Sequence, residues 1–598
     1  MILRISPLVP ACLAACALAA CGGSDTEFNT RPSDIGPVKL TRYDGNADDL
    51  LTAGLGKSGL QSAVPPSYAD PLKPSAAELR RAAIYNSYRA LVDMTAGGGY
   101  GSLYGPNVSA AGLVTGGEGK VAGTEYIAFL DDGTGRQNVT VMAQVPDSFD
   151  PSNPCIVTAT SSGSRGVYGA ISTGEWGLKR GCAVAYTDKG TGATPHDLQN
   201  DTVAYIDGTR AGSSVAGAQA AFHAGLAGTE LASFNAATPN RFAFKHAHSG
   251  LNPEKDWGRH TLAAVRLVLY ALNEQFGDTN LIGQHAVRFT PANTLVIASS
   301  VSNGGGAAIA AAELDAEGLI DGVAVAEPAI EMPANAGVAV QRGGALVPTV
   351  GRNLVDFTSY ANLYQACASL APSVAQGPYA GSFAALFNSV ALPIAANRCE
   401  ALQKKGLLTA SGTIAQAEEA LQRLRDYGWE SESAVLQPSH AAFEIAPAVT
   451  ATFANALARA SVADHLCGFS YGATSATGAP TALAPAALST MFATGNGVPP
   501  SAGVVLINNL GRNGPARDFL GANAAGVADW NLDGALCLRE LVTGAGASAR
   551  RLQAGMAETQ RNGNLRGKPT IIVHGRDDAL LPVNHTSRPY YALNPKTE

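Results

Sequence analysis

Apolar and polar residues in the first half of the chain alternate in two rhythms that indicate strands and helices. Short apolar runs predict buried strands at residues 126–130, 139–145, 155–160, 181–186, 294–298 and 323–326. Asp131, Asp132 and Gly133 lie between the first two runs and predict a hairpin turn. Other stretches, most clearly residues 76–93 and 252–276, carry apolar residues at helical spacing. Strands leading directly into helices predict an α/β fold with a mostly parallel sheet covered on both faces.

The rhythm of the sequence changes after residue 328. Residues 329–500 combine helices such as 414–427 with loops rich in alanine, proline and serine, and we expect them to form a large, mainly helical cap inserted into the core. Apolar runs at 504–507 and 570–573 then resume the strand pattern. The predicted organisation is a tether over residues 22–75, a first core segment over 76–328, the cap over 329–500 and a second core segment over 501–598.

The first residues carry a targeting signal. A positive start at Arg4 precedes a small apolar run that is too short to span a membrane, which predicts an export signal over residues 1–21. The end of this segment resembles a bacterial lipobox that would place a lipid on Cys21, and ordinary cleavage to a soluble protein is the alternative. We therefore expect a secreted or periplasmic protein whose membrane contact, if any, is through Cys21.

Composition narrows the function classes and the redox setting. The net charge is −7 over 598 residues, and no basic run supports binding to nucleic acid. Six cysteines follow the signal, and in an exported protein an even number favours disulfides, with fifteen pairings open. We expect neighbours to pair, as Cys155–Cys182, Cys367–Cys399 and Cys467–Cys537. No C-x-x-C spacing suggests a metal site.

The sharpest chemical signal follows the predicted strand at 294–298. Ser302 lies at a turn that is followed by Gly304 and an alanine-rich helix. This context is typical of the nucleophile elbow G-x-S-x-G, which projects a serine hydroxyl from the sheet edge. Ser300 replaces the first glycine with another small residue, and the backbone N–H of Asn303 would supply half of an oxyanion hole. A purely structural turn is the alternative, and the G-x-G-x-x-G spacing of a dinucleotide site is absent.

The second half of an oxyanion hole is expected after an earlier strand. Gly163 and Ser164, in the loop that follows the strand at 155–160, are the candidates, and an ordinary flexible loop is the alternative. Arg165 in the same loop is a candidate anchor for a substrate carboxylate, with a solvated arginine as the alternative reading.

The predicted strand at 570–573 leads into a second motif, H-G-x-x-D. Its position and the order serine then aspartate predict Asp578 as the acid of a Ser-His-Asp triad. Glu327, at the end of the strand after the elbow, is a rival acid. We interpret His574 as a structural loop residue.

The catalytic base is the member of the triad for which the sequence gives the least support. His585 is the one histidine beyond Asp578 and is the candidate base. The tail after Asp578 is short and rich in proline, so we also expect the chain to end before the strand that normally carries this histidine. His246 and His248 resemble half of a metal site, but a polar loop is the favoured interpretation, and no metal or cofactor is expected.

Four segments, at residues 181–190, 252–259, 300–305 and 574–582, together resemble the D-(−)-3-hydroxybutyrate oligomer hydrolases. This family consists of secreted serine esterases that act downstream of polyhydroxybutyrate depolymerases. The resemblance implies an α/β-hydrolase core and hydrolysis of short oligomers to monomers, with the nucleophile at Ser302.

Two other functions remain open from the sequence. A tannase- or feruloyl-esterase-like enzyme would share the core and differ in its cap. A surface-anchored binding protein without its catalytic histidine would bind the oligomer without turnover. In each case the expected partner is a small ester.

Overall fold

The structure is a computed structural model that describes residues 26–130, 136–375 and 390–596. The predicted export signal, the lipobox at Cys21 and the turn at residues 131–133 lie outside the described residues. Across the described ranges, no helix combines the length and the apolar character that crossing a membrane requires.

The main sheet has eight strands, which we number in chain order. They are β1 (Lys39–Tyr43), β2 (Gly123–Leu130), β3 (Val139–Pro146), β4 (Cys155–Thr158), β5 (Ala183–Thr187), β6 (Leu295–Val301), β7 (Gly322–Ala326) and β8 (Thr570–Val573). Their order across the sheet is β1-β2-β3-β5-β4-β6-β7-β8. The pairs β1–β2, β2–β3 and β3–β5 are antiparallel. The pairs β5–β4, β4–β6, β6–β7 and β7–β8 are parallel. The sheet is therefore mixed, and the predicted hairpin between β2 and β3 is confirmed.

Helices cover both faces of this sheet. The helices that matter for the site are α1 (Ala76–Arg89), α2 (Ile171–Arg180), α3 (Trp257–Phe276) and α4 (Asn303–Leu314). Along β3, Val141 and Ala143 pack with α3 and α4, whereas Met142 between them packs with α1 and α2. This alternation is the two-residue period of a strand buried on both faces. Each fully buried large apolar side chain contributes roughly 1.5–3 kcal/mol.

Residues 327–569 lie between β7 and β8, and α-helices are the main regular element in the part of this range that the structure describes. Their helices are Leu354–Ala368, Ala391–Lys404, Thr413–Asp426, Gln437–Ala442, Ile445–Leu457, Pro485–Ser489, Met491–Thr494, Leu532–Thr543 and Ala547–Thr559. A separate four-stranded sheet in this region consists of Phe469–Thr474, Pro480–Thr481, Val505–Asn508 and Ala516–Arg517. The expectation that the run at 504–507 returns to the main sheet is therefore wrong. An apolar run predicts that a strand is buried, but it does not show to which sheet the strand belongs.

Smaller elements complete the described fold. A second four-stranded sheet consists of Arg210–Gly212, Thr202–Ala204, His196–Asp197 and Phe242–Ala243, and a short hairpin pairs Gln341–Arg342 with Ala345–Leu346. The remaining helices are Gly56–Gln61, Ser213–Ala216, Gly228–Ala237, Lys245–His248 and Ser587–Leu593.

Three disulfides cross-link the described part of the chain. They are Cys155–Cys182, Cys367–Cys399 and Cys467–Cys537. The expected pairing of sequence neighbours is confirmed, and the first of these bonds joins the start of β4 to the residue before β5.

Candidate active site

Ser302 occupies the tight turn between β6 and α4. Its backbone has φ 59° and ψ −129°, a strained combination that costs a non-glycine residue about 1–3 kcal/mol and is concentrated at functional sites. Its N–H donates to the carbonyl of Ala326, and its carbonyl accepts from the N–H groups of Gly306 and Ala329, each at 3.0 Å. The strand–serine–helix turn expected from the sequence is therefore present at the carboxyl end of a central parallel strand.

Small residues around Ser302 let α4 approach the end of β4. A Cβ on Gly304 would lie 2.0 Å from the carbonyl oxygen of Thr160, so only glycine fits there. Ser300 stands where the elbow motif usually has glycine, and its hydroxyl donates to the same carbonyl at 2.6 Å. The serine in place of glycine thus fastens β6 to the residue that precedes the loop after β4.

That loop, residues 161–166, is the one that the sequence suggested for the oxyanion hole. Ser164 Oγ lies 2.7 Å from Nδ1 of His246, and both side chains are buried. Within the ranges that the structure describes, the backbone N–H groups of Gly163, Ser164 and Asn303 donate to no protein group. An oxyanion requires N–H groups that are not already bonded, and the assignment of these three to that role stays a prediction.

His246 also contacts a carboxylate through its other ring nitrogen. Its Nε2 lies 2.5 Å from Oε1 of buried Glu254. The ring of His246 therefore lies between a hydroxyl and a carboxylate, each within hydrogen-bond distance of one ring nitrogen. His248 is directed elsewhere, since its Nδ1 accepts from the N–H of Phe244 at 3.0 Å. Sequence reasoning missed this chain because no motif spacing connects Ser164, His246 and Glu254.

Strand β8 leads into a cluster of Glu327, His574 and Asp578. Nε2 of His574 lies 3.3 Å from Oε2 of Glu327 and 3.7 Å from Oδ2 of Asp578. The same nitrogen donates to the carbonyl of Leu581 at 2.8 Å, and Nδ1 lies 2.6 Å from Oγ of Ser587. Both ring nitrogens are therefore engaged within this loop. Burial raises the pKa of Asp578, and the N–H groups of its own turn and the His574 ring act against that rise.

The elbow and this cluster lie on one edge of the sheet. Ser302, Glu327 and His574 are each the first residue after their strand, and β6, β7 and β8 are parallel neighbours. The ladder continues past the strand ends, since Ser302 donates to Ala326 and Glu327 donates to Val573 at 3.0 and 2.8 Å. Adjacent strands are about 4.8 Å apart. The predicted nucleophile and the predicted acid loop therefore share an edge of the sheet.

His585 does not take part in this arrangement. Its ring stacks on Phe357 with centroids 5.2 Å apart. Nε2 donates to the carbonyl of Tyr427 at 2.7 Å, and Nδ1 accepts from the N–H of Arg352 at 3.4 Å. Burial lowers the pKa of His585 to about 4. The expectation that His585 is the base is wrong, because both nitrogens are committed to backbone groups inside a packed aromatic cluster.

Two groups of three side chains bring metal-type donor atoms together among the described residues. One is the cluster of Glu327, His574 and Asp578, and the other consists of His196, Asp201 and His223. A metal-bound imidazole donates from its second nitrogen. In the second group both Nδ1 atoms instead accept backbone N–H groups, at 3.4 Å for His196 and 2.9 Å for His223. His574 likewise directs its Nε2 proton to a carbonyl, so neither group presents its histidines as metal ligands.

The chain is similar in sequence to a described family and to several named proteins. A family model described as 3HB-oligomer hydrolase matches residues 17–598. A protein named D-(−)-3-hydroxybutyrate oligomer hydrolase from Paracidovorax citrulli is 64% identical, with 100% of this chain and 84% of that protein covered. A protein of the same name from Ralstonia pickettii is 57% identical, with 95% and 77% covered. Feruloyl esterase B from Aspergillus oryzae aligns with 81% of this chain and 71% of its own at 12% identity and a TM-score of 0.31, which carries no conclusion.

These relatives define the class of the protein as an ester hydrolase, an enzyme. Its strained serine lies at the sheet edge where such chemistry is commonly placed. Within that class, the chain belongs to the 3HB-oligomer hydrolase family. The family resemblance drawn from the four sequence segments is confirmed.

Proposed function

We propose that the protein hydrolyses the ester bonds of D-(−)-3-hydroxybutyrate oligomers through an acyl-enzyme on Ser302. The observation that carries this proposal is the strained backbone of Ser302 at the carboxyl end of a central parallel strand. The substrate class comes from the names of the relatives, which cover most of this chain.

In the proposed reaction, Oγ of Ser302 attacks the ester carbonyl carbon and its proton passes to the base. The carbonyl oxygen becomes an oxyanion, which the N–H groups of Asn303, Gly163 and Ser164 stabilise together with the positive end of the α4 dipole. The C–O bond then breaks, the alkoxide leaves with a proton as the hydroxyl group of the first product, and the acyl group remains on Ser302. Water attacks the acyl-enzyme and releases the acid.

We assign the acid of the triad to Asp578, with Glu327 as the alternative on the neighbouring strand. Asp578 lies in the position after β8 that agrees with the chain order serine then acid. No histidine in the described ranges hydrogen-bonds to Ser302, so the proposal commits to the nucleophile, the oxyanion donors and the carboxylate. The pH dependence of kcat/KM gives the apparent pKa of the base in the free enzyme.

We also propose that the main sheet is an α/β-hydrolase core and that residues inserted between β7 and β8 form its cap. The sheet order supports the first part, because the parallel strands surround β6 and its elbow. The length and helical content of residues 327–569 support the second. Replacing the insertion of this enzyme with that of a relative of different chain-length preference would exchange that preference if the insertion is the cap.

We further propose that the protein is exported. Three disulfides support this, since such bonds persist in oxidising compartments. Fractionation of expressing cells tests it, with recovery of the mature chain in the cytoplasm as the contradicting result. A Cys21→Ser variant separates the two exported forms, because it releases the protein from membranes only if a lipid holds it there.

The substrate proposal is tested by comparing 3-hydroxybutyrate dimer and trimer with galloyl and feruloyl esters. We expect turnover of the hydroxybutyrate esters and a loss of that turnover in Ser302→Ala. Preference for the aromatic esters would favour the tannase-like alternative. Calorimetric binding of the dimer without any turnover would favour the binding-protein alternative.

A further inference from the structure

Arg165 lies in the proposed oxyanion loop, and its charge has no ionic partner among the described residues. Its Nη1 makes a single long contact, 3.5 Å to Oγ of Ser162. Among the described residues, no carboxylate lies within ion-pair distance of this guanidinium, and burial lowers the pKa of Arg165 with no neighbouring acid to oppose it. A half-buried arginine without a counter-ion is costly for a protein to retain.

Other enclosed arginines in the chain show the usual arrangement. Arg80 pairs with Asp48 and Glu125. Arg398 donates to several backbone carbonyls, among them that of Asp529 at 2.8 Å. Arg165 differs from both, because no carboxylate and no backbone carbonyl among the described residues accepts a hydrogen bond from its guanidinium.

Neighbouring residues hold the backbone of Arg165 through hydrogen bonds. Its carbonyl accepts from Oγ of Ser161 at 2.9 Å and from Oγ1 of Thr191 at 3.4 Å. The preceding carbonyl, that of Ser164, accepts from the N–H of Gly497 at 2.9 Å. The guanidinium is thus carried on a clamped loop, which is how a binding group is held ready before its ligand arrives.

A buried lysine also contacts this loop. Lys189 donates from Nζ to the carbonyl of Gly163. Burial lowers the pKa of Lys189 to about 7, the charge of Arg165 acts in the same direction, and the charges of Asp188 and Glu254 act against it. Lys189 is thus engaged with the backbone of the loop, whereas the guanidinium of Arg165 keeps donors that can bind an anion.

We propose that Arg165 binds the free carboxylate of the oligomer and so directs hydrolysis to the ester bond nearest that end. This inference rests on the proposed function. The terminal carboxylate is the one ionic group of a 3-hydroxybutyrate oligomer, whose other polar groups are neutral esters and a hydroxyl. A planar guanidinium matches a carboxylate with two parallel hydrogen bonds.

The distances agree with this placement. Nη1 of Arg165 lies 3.7 Å from the position that a Cβ on Gly163 would occupy. In an extended dimer, four covalent bonds separate the scissile carbonyl carbon from the carboxylate carbon, which is about 5 Å. A carbonyl bound at the N–H of Gly163 would therefore bring the carboxylate of the leaving group within reach of Arg165. The enzyme would release monomers from the carboxyl end, and the dimer would be the shortest substrate.

The test compares the free-acid dimer with its methyl ester, which lacks the charge but keeps the scissile bond. We expect the wild-type enzyme to prefer the free acid. In Arg165→Gln, kcat/KM for the free acid should fall roughly tenfold to a hundredfold, the range for a hydrogen bond to a charged group, while kcat/KM for the methyl ester stays unchanged. Arg165→Lys should recover part of the loss. The control Arg42→Gln removes an exposed arginine that pairs with Asp147 and should change neither rate.

The outcomes separate this inference from the proposed function. Equal losses on both substrates in Arg165→Gln would show a structural or oxyanion role and overturn the inference, as would an unchanged preference for the free acid. A wild-type enzyme that hydrolyses neither compound would overturn the proposed function instead. Calorimetry on Ser302→Ala still tests Arg165 in that case: tighter binding of the free acid than of the methyl ester, abolished by adding Arg165→Gln, supports the anchor, and equal binding refutes it.

Discussion

The close approach of α4 to β4 makes Gly304→Ala a sharp test of the elbow. The added Cβ would lie 2.0 Å from the carbonyl oxygen of Thr160 and 2.4 Å from Oγ of Ser300. A carbon and an oxygen in contact normally lie about 3.3 Å or more apart, so the first turn of α4 has to move by more than about 1 Å. Neither obstacle is the far end of a flexible side chain, because one is backbone and the other is tied to it.

The expected loss has two parts. Overpacking at such a site costs about 1–3 kcal/mol of folding stability. The displacement of the N–H of Asn303 misaligns an oxyanion donor, and a misplacement of about 1 Å can lower the rate roughly a hundredfold. We therefore expect Gly304→Ala to remain folded, with a lower urea midpoint and with kcat/KM on the 3-hydroxybutyrate dimer reduced far more than stability alone accounts for.

The assay is kcat/KM at a temperature where circular dichroism shows the variant to be folded. Gly116→Ala is the matched control, because a Cβ there meets nothing within 4 Å and the backbone is not in the positive-φ region. A Gly304→Ala enzyme with wild-type activity would refute the view that contact between α4 and the loop after β4 builds the site.

Three further predictions follow from other contacts. Ser164→Ala removes the hydrogen bond to His246 and should lower kcat about tenfold, the equivalent of 1.4 kcal/mol, with little change in KM; a change in KM alone would contradict a positioning role. Replacing Cys467 and Cys537 with alanine frees a loop of sequence separation 70 and should cost about 4 kcal/mol, measured by urea unfolding; an unchanged midpoint would contradict it. Burial raises the pKa of Asp518 to about 7 from 3.8, so the folded state keeps a proton that the unfolded state has lost. Stability should therefore fall as pH rises between those values, and Asp518→Asn should abolish that fall; parallel pH profiles for both proteins would count against it.

Local features of the fold were predictable because each depends on a short stretch of sequence. The strands of the main sheet other than β1 are apolar runs, and the elbow is a strand, a serine and glycines in succession around Ser302. β1 (Lys39–Tyr43) is largely polar and lies in the stretch that the sequence suggested as a tether. The disulfides follow the expected pairing of sequence neighbours, one of the fifteen pairings that the sequence leaves open, with separations of 27, 32 and 70 residues.

Other features depend on contacts between distant segments and could not be predicted from the sequence. The run at Val505–Asn508 reads as a core strand, but its partners belong to another sheet. His585 lies near Asp578 in sequence, yet it packs against Phe357 and Tyr427, more than a hundred residues away. The chain from Ser164 through His246 to Glu254 joins a loop, a short helix and the single turn Pro253–Asp256 that precedes α3, and no local pattern specifies that contact.

The central claim is that Ser302 carries the acyl group, and mass spectrometry of the trapped intermediate tests it most directly. The enzyme is mixed with an activated ester of 3-hydroxybutyrate, quenched in acid within the first turnover and digested. We expect one peptide to gain a 3-hydroxybutyryl group, the group to map to Ser302, and Ser302→Ala to show none. An acyl group found on another residue, such as Ser164, or undiminished turnover by Ser302→Ala, would contradict the account.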